Sequence, residues 1–320
     1  MKRIVECVPN ISEGKDHAKI KRITDVFSSF EGIKVLSVEP DGDYNRTVIT
    51  LLGDPEEIIS SMLPFTKKVL EEIDMNQHHG EHPRMGAIDV IPFIPVEGVT
   101  MKDCVSFAER VGEMLANEFS IPVFLYAEAA RTEQRTLLPD IRKGEFEGMK
   151  DKIQDPAWAP DFGPSRIHPT FGVTAAGARE FLVAFNIDLP TLDETPAKEI
   201  AKAIRKSSGG FAYIQAGPAL LQEKGHVQVT MNILSYRKNP MYRILETVRM
   251  EAKRFHLSVS SAEVIGMIPK RALLESIQYY LECDKLPFDK NMTISELTIL
   301  SRQHLGLRDF DESKIIESYL

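Results

Sequence analysis

The chain is short of cysteine, of tryptophan and of basic charge, and each shortage removes a class of protein. Cys7, Cys104 and Cys283 are the only cysteines in 320 residues; they are odd in number, far apart and in no C-x-x-C pair. That pattern argues against a disulfide framework or a zinc ribbon and makes a reducing compartment, the cytoplasm, the expected location. Lys and Arg number 39 against 47 Asp and Glu, for a formal net charge of −8, and no basic block stands out. Nucleic-acid binding leaves a basic footprint, so no nucleic-acid partner is expected. No apolar run reaches the roughly 18–20 residues that span a bilayer. The opening MKRIVECVPN is too short in apolar residues for a signal peptide, so no membrane partner is expected.

What is present reads as an ordinary globular chain, 43% hydrophobic and 27% charged. Its length exceeds what one core holds comfortably, which predicts two domains. Short β-branched runs predict strands at 2–8, 33–38, 46–52, 88–94 and 121–127. Apolar residues three and four apart predict helices at 16–30, 55–73 and 100–119, the second opened by Asp54 and Pro55. The order is βαββαβ followed by αβ. Residues 138–172 break the rhythm with Pro139, Pro156, Pro160, Pro164 and Pro169 among scattered glycines, and a loop of that length is a surface connection or a functional segment. The pattern then restarts, with strands at 180–188, 212–216, 227–235 and 258–267 and helices at 197–207, 241–255 and from Pro269 to about 283. The expected fold is α/β (α+β), two ferredoxin-like βαββαβ subdomains side by side, at 1–180 and 181–320.

The most informative segment is 74–86, DMNQHHGEHPRMG, which holds three of the eight histidines within five residues. His78-x-x-Glu81-His82 spells an inverted zinc motif, which needs both histidines on one helical face. Gly80 between them and Pro83 after His82 oppose a helix there, so no metal is expected. A solvated polar loop is one alternative. The preferred reading is a single working imidazole, His82, able to accept and return a proton near neutral pH. Arg84 suits a carboxylate, either of a substrate or of Glu81 or Asp89 in an ion pair. A second segment, WAPDFGPSRIHPTFG at 158–172, holds the only Trp, two Phe and three Pro. Such a loop can offer an aromatic wall and backbone amides to a flat heterocycle, or simply tuck its rings beneath itself.

Several stretches together carry a resemblance. They are Val5-Glu-Cys-Val-Pro-Asn-Ile-Ser-Glu-Gly14, Asn45-Arg-Thr-Val48, Gly80-Glu-His-Pro-Arg-Met-Gly-Ala87, Pro92-Phe-Ile-Pro95, Glu128-Ala-Ala-Arg131, 158–165 and Ala184-Phe-Asn186. They run in order over most of the chain, and in them it resembles the formiminotransferase domain family of glutamate formimidoyltransferases. The resemblance implies a double-layer α/β sandwich, a homodimer and folate held in a tunnel between the subdomains. It implies transfer of a formimino group from N-formimino-L-glutamate to N5 of tetrahydrofolate, the cosubstrate, free or polyglutamylated, in histidine degradation and one-carbon metabolism. The family's catalytic histidine falls on His82. Its folate-binding loop falls on Gly163, Pro164, Ser165, Arg166, Ile167, His168, Pro169, Thr170, Phe171 and Gly172. An acidic partner for the histidine is implied in the turn after the second strand, where Glu39 and Asp41 both qualify. The cyclodeaminase domain fused to some family members is not expected here.

The chemistry asks for little more than one base. The N5 amine is neutral and nucleophilic, its proton turns acidic only after attack, and the glutamate amine leaves only once protonated. One histidine between the two nitrogens can take the first proton and deliver the second. A related folate transferase, using 5-formyltetrahydrofolate with glutamate or using formiminoglycine, fits the same residues. So does a folate-binding protein without turnover, although binding alone gives His82 no task.

Overall fold

The computed structural model describes residues 2–222 and 225–320. The chain forms two compact units, Met1–Glu180 and Phe181–Leu320. The first contains β1 (Ile4–Cys7), β2 (Asn10–Ile11), α1 (His17–Thr24), β3 (Ile33–Asp41), β4 (Arg46–Gly53), α2 (Pro55–Glu72), β5 (Ile88–Glu97), α3 (Met101–Phe119), β6 (Val123–Ala127), α4 (Leu138–Arg142), α5 (Glu145–Lys152) and β7 (Thr174–Ala178). The second contains β8 (Val183–Leu189), α6 (Glu194–Ile204), β9 (Ile214–Leu221), β10 (His226–Ile233), α7 (Met241–Ala252), β11 (Ser261–Ile265), α8 (Lys270–Cys283) and α9 (Ile294–Leu305).

Both units have ferredoxin-like strand order. In the first, β3 pairs with β4, β4 with β1 and β2, and these with β5, all antiparallel. In the second the order is β11-β8-β10-β9, again antiparallel. The first sheet is then extended by β7, parallel to β5, and by β6, parallel to β7.

Local chemistry sets the helices. Asp54 accepts bonds from the amides of Glu56 and Glu57 to open α2, with Pro55 at its first position. Thr100 and Asp103 form a capping box that opens α3. The predicted helix over 16–30 is shorter: α1 ends at Thr24 and a 3-10 turn, Asp25–Ser29, follows. The first strand does not stop at Pro9. Asn10 and Ile11 resume it and pair with both β4 and β5. Segment 138–172 is not one loop, because α4 and α5 lie within it.

Alternation along the strands decides where a site can form. Val5, Cys7, Ile49, Leu51, Ile91 and Phe93 join the core that also holds Phe27, Phe65 and Phe107 from the helical side. Burying each large side chain there is worth roughly 1.5–3 kcal/mol. The intervening residues, Glu6, Arg46, Val48 and Thr50, lie on the opposite face of the sheet, with Glu39 and Asp41 beside them across the β3–β4 pairing. Part of that face, around Val90, Phe124, Tyr126 and Ala175, is covered by Ile141 of α4, Met149 of α5 and Trp158.

Candidate active site

The histidine loop follows α2 and is shaped by side chains capping backbone. The Asp74 carboxylate accepts the Asn76 amide at 3.0 Å and the Asn76 side chain at 2.7 Å. Gly80 then lies so close to the β3–β4 turn that a Cβ would sit 2.4 Å from the Tyr44 carbonyl oxygen. Glycine is therefore required at that contact. Asn45, in the left-handed region at φ 49°, completes the junction: its Nδ2 donates to the His79 carbonyl at 2.8 Å, and its Oδ1 accepts from the Gly14 amide at 2.9 Å.

These contacts hold His82 in a buried position, 8% exposed. Its Nε2 accepts from Nη1 of Arg46 at 2.9 Å. The ring of Tyr44 meets it edge-on at 6.4 Å. Burial, then the charges of Arg46 and Arg142, push the His82 pKa down to about 3. At neutral pH the imidazole is uncharged, and since Nε2 accepts, its proton sits on Nδ1.

His78 is neutral for a different reason. Its Nδ1 accepts from Nε of Arg84 at 3.2 Å, so its Nε2 carries the proton and donates to the Asn45 carbonyl at 2.8 Å. Burial lowers its pKa as well. The two histidines of the inverted zinc motif thus have separate partners. Among the described residues no group of three or more His, Cys, Asp and Glu side chains is placed to hold a metal.

Arg84 is pinned, and its partners are neither Glu81 nor Asp89. Nη1 donates to Glu145 at 2.7 Å and to Glu147 at 3.0 Å, and Nη2 to Glu147 at 2.8 Å. Asp89 instead accepts from Arg142 and from the Met85 amide. Glu39 and Asp41 share the sheet face of Arg46, with Asp41 directly across from it. The Asp41 carboxylate accepts the amides of Asp43 and Tyr44 at 3.0 and 2.9 Å. Neither acid bonds His82, whose partner is a cation.

The segment 163–172 is stitched to the histidine loop. Met75 donates to the Thr170 carbonyl at 2.8 Å, the Asn76 side chain to that of Pro169 at 2.9 Å, and Ala87 to that of Phe171 at 2.8 Å. Gly86 bridges Gly172, and a Cβ on Gly172 (φ +85°) would meet the Met85 carbonyl oxygen at 2.3 Å. Gly163 (φ +86°) lies somewhat less closely against the Ile121 carbonyl, at 2.7 Å for a Cβ. Asp161, ahead of the segment, ties it to β6 through the Leu125 amide at 2.8 Å and to Arg135 at 2.9 Å. Phe171 is fully buried, Phe162 packs on the main core, and Trp158 packs on the smaller cluster beneath the Lys152 ammonium. Gly163, Ser165, Arg166 and Pro169 are exposed, while Pro164, Ile167, His168 and Thr170 are half-buried.

Sequence reasoning singled out His82 but passed over Arg46, Arg142 and Asn45 as site residues. Arg46 and Asn45 lay in plain view in Asn45-Arg-Thr-Val48. Arg142, in a segment read as loop, carried no local signal.

Fold and site together define a two-unit α/β protein with a buried neutral imidazole bonded to a guanidinium group. The model of the formiminotransferase domain, N-terminal subdomain, matches residues 4–179, and that of the formiminotransferase domain matches 184–320. The chain belongs to the formiminotransferase domain family. It is 42% identical over 297 residues to a glutamate formimidoyltransferase of Streptococcus pyogenes serotype M1, covering 93% of this chain and 99% of that protein. A glutamate formimidoyltransferase of Thermoplasma acidophilum is 42% identical over 281 residues, covering 87% and 92%. The formimidoyltransferase-cyclodeaminase of Sus scrofa is 42% identical over 292 residues, covering 89% of this chain but 54% of that protein.

Proposed function

We propose that this protein is a glutamate formimidoyltransferase, moving the formimino group of N-formimino-L-glutamate to N5 of tetrahydrofolate. The observation that carries the reading is the neutral, buried His82 beside Arg46 and Arg142, in a chain that matches glutamate formimidoyltransferases nearly end to end. Tetrahydrofolate supplies the attacking amine. After attack on the formimino carbon, the N5 proton becomes acidic and His82 accepts it. His82 then delivers that proton to the glutamate nitrogen, which leaves as the amine. An imidazole that is uncharged before substrate arrives is in the correct state to begin this cycle. Segment 163–172 holds the folate through its exposed backbone and Arg166, fixed in place by its bonds to the histidine loop. Residues 1–180 and 181–320 serve as the N- and C-terminal subdomains of a cytoplasmic homodimer.

The test is an absorbance assay with formiminoglutamate and tetrahydrofolate, run beside formiminoglycine and 5-formyltetrahydrofolate. His82→Ala should cut turnover by roughly 10²–10⁴-fold with far less change in folate affinity. Near-normal turnover in a folded variant removes the assignment, and preference for an alternate donor replaces the substrate.

A further inference from the structure

Several of the buried and half-buried arginines are matched by carboxylates: Arg84 by Glu145 and Glu147, Arg135 by Asp161, Arg142 by Asp89, and Arg308 by Asp188 and Glu263. Arg46 is not. Among the described residues no carboxylate lies within ion-pair distance of it, its Nε is buried without a hydrogen-bond partner, and its Nη1 is spent on the neutral ring of His82. Asp41, the acid across the β3–β4 ladder, has its carboxylate turned to the amides of Asp43 and Tyr44. Leaving a guanidinium donor unsatisfied away from water is costly, and bonding a neutral acceptor recovers less than bonding an anion. Burial, and then the nearby Arg142 guanidinium, lower the proton affinity of Arg46, and the Nε of Arg142 is also unpartnered. A guanidinium with no carboxylate partner and an unpartnered donor, near a second whose Nε is also unpartnered, suits an incoming anion.

We infer that Arg46 binds a carboxylate of the formimino donor, with Arg142 as its neighbouring cation, and that this carboxylate draws Arg46 off Nε2 of His82. The inference rests on the function proposed above and adds the residue that selects an acidic donor. Before the donor binds, the Nε2 lone pair is occupied by the Arg46 N–H and cannot take a proton from N5. Once Arg46 turns to the carboxylate the lone pair is free. One proton then moves from N5 to Nε2 and on to the glutamate nitrogen, while the Arg46–carboxylate pair persists throughout.

The same exchange changes the charge that His82 faces. Arg46 approaches it from β4, Arg142 from α4, His78 and Arg84 from its own loop, and Tyr44 from the turn. A bound carboxylate offsets the positive charge of Arg46, so the proton affinity of His82 rises in the complex. The acid limb of kcat, which reports the complex, therefore lies at higher pH than that of kcat/KM, which reports the free enzyme.

The experiment is steady-state kinetics on Arg46→Met and Arg46→Lys in the full chain. The readouts are KM for N-formimino-L-glutamate, Ki for the product L-glutamate, Kd for tetrahydrofolate and thermal melting. Arg46→Met should raise KM and Ki together by about 10–100-fold, the value of a hydrogen-bonded ion pair, with folate Kd unchanged and the two acid limbs drawn together. Arg46→Lys keeps the charge but loses the fork and should fall between. A loss of kcat with KM and Ki unchanged overturns the inference and leaves Arg46 as a support for His82. If Arg46→Met does not fold, the same criteria apply to Arg46→Lys. Failure of the unsubstituted protein to transfer from formiminoglutamate removes the proposed function itself, whereas an active parent with unmoved KM and Ki removes the Arg46 role alone.

Discussion

Two buried carboxyls lie on corresponding strands of the two units and have proton affinities shifted in opposite directions. Glu6 lies on β1 and Asp188 on β8, the opening strand of each βαββαβ set, and both side chains lie on the sheet face opposite the core-facing residues. Glu6 is 3% exposed and Asp188 1%. Burial pushes the Glu6 pKa up to about 7, and the nearby Arg179 offsets this only in part. Burial works against the Asp188 charge too. There the bonds from Arg308 at 2.9 Å, Ser261 at 2.6 Å and Gln228 at 2.7 Å prevail, and its pKa falls below the usual carboxylate range. Both side chains are closed to solvent, but Glu6 lies deeper in the protein than Asp188 and lacks its hydrogen-bond partners, so depth and partners together set the two shifts. The second unit completes its polar network, with Glu263 accepting from Asn186 and Gln228. The first unit leaves Glu6 and Arg46 short of partners on the face that carries the proposed site.

The largest effect should come from breaking the completed network. Asp188→Ala leaves the half-buried Arg308 with one anion fewer and takes away the buried acceptor of the Ser261 and Gln228 bonds, and breaking such a charged, hydrogen-bonded group costs about 3–5 kcal/mol. Urea unfolding should show that loss at pH 7. A change below about 1 kcal/mol, the scale of an exposed pair, would mean that the network does not hold the unit.

The sequence made the fold legible where periodicity was strong and hid it where packing overrode propensity. The two βαββαβ sets follow from alternation and capping, and both sheets are built from them. Strand β7 was missed because Thr-Ala-Ala-Gly-Ala lacks β-branched bulk. Its small residues answer crowding: a Cβ on Gly177 would meet the Tyr126 ring at 2.4 Å. Helix α9 was missed as well, although its Thr293–Glu296 capping box is a readable start signal. In the site, His82 could be picked out because Pro83 and the clustered histidines mark the loop. Its bond to Arg46 could not, since the two are joined by the β3–β4 turn packing on Gly80, a contact made between distant segments. The opposed shifts of Glu6 and Asp188 were invisible for the same reason.

A smaller and pH-dependent effect should follow from Glu6. Its folded pKa, about 7, exceeds the ordinary 4.5, so the folded state holds the proton more tightly. The resulting stability is complete below pH 4.5 and is lost as pH rises through 7. At 1.36 kcal/mol per tenfold change in proton affinity, the contribution is about 3 kcal/mol. Glu6→Gln cannot ionise, so its stability relative to the parent should climb by about that amount between pH 4.5 and pH 8. A difference that stays constant over that range would show that Glu6 finds a partner and resembles Asp188 after all.

The smallest effect separates paired from unpaired cations within the first unit. Arg84 is 6% exposed and spends every arm of its fork: Nε on His78, Nη1 on Glu145 and Glu147, Nη2 on Glu147. Lysine keeps the charge but has no planar fork, so it cannot hold two carboxylates and the His78 ring together. The side chains of Glu145 and Glu147 are 43% and 64% exposed, and solvent screens their share of the loss. Arg84→Lys should therefore cost about 1–2 kcal/mol, mostly from the buried His78 bond. Its KM for formiminoglutamate should stay near that of the parent, because Arg84 has no arm left for a ligand. Arg46→Lys should do the reverse, with KM rising and melting nearly unchanged, since no carboxylate holds Arg46 in the fold. A KM that responds at Arg84 while melting stays fixed would exchange the roles of the two arginines. Measuring both quantities on both lysine variants decides between these assignments.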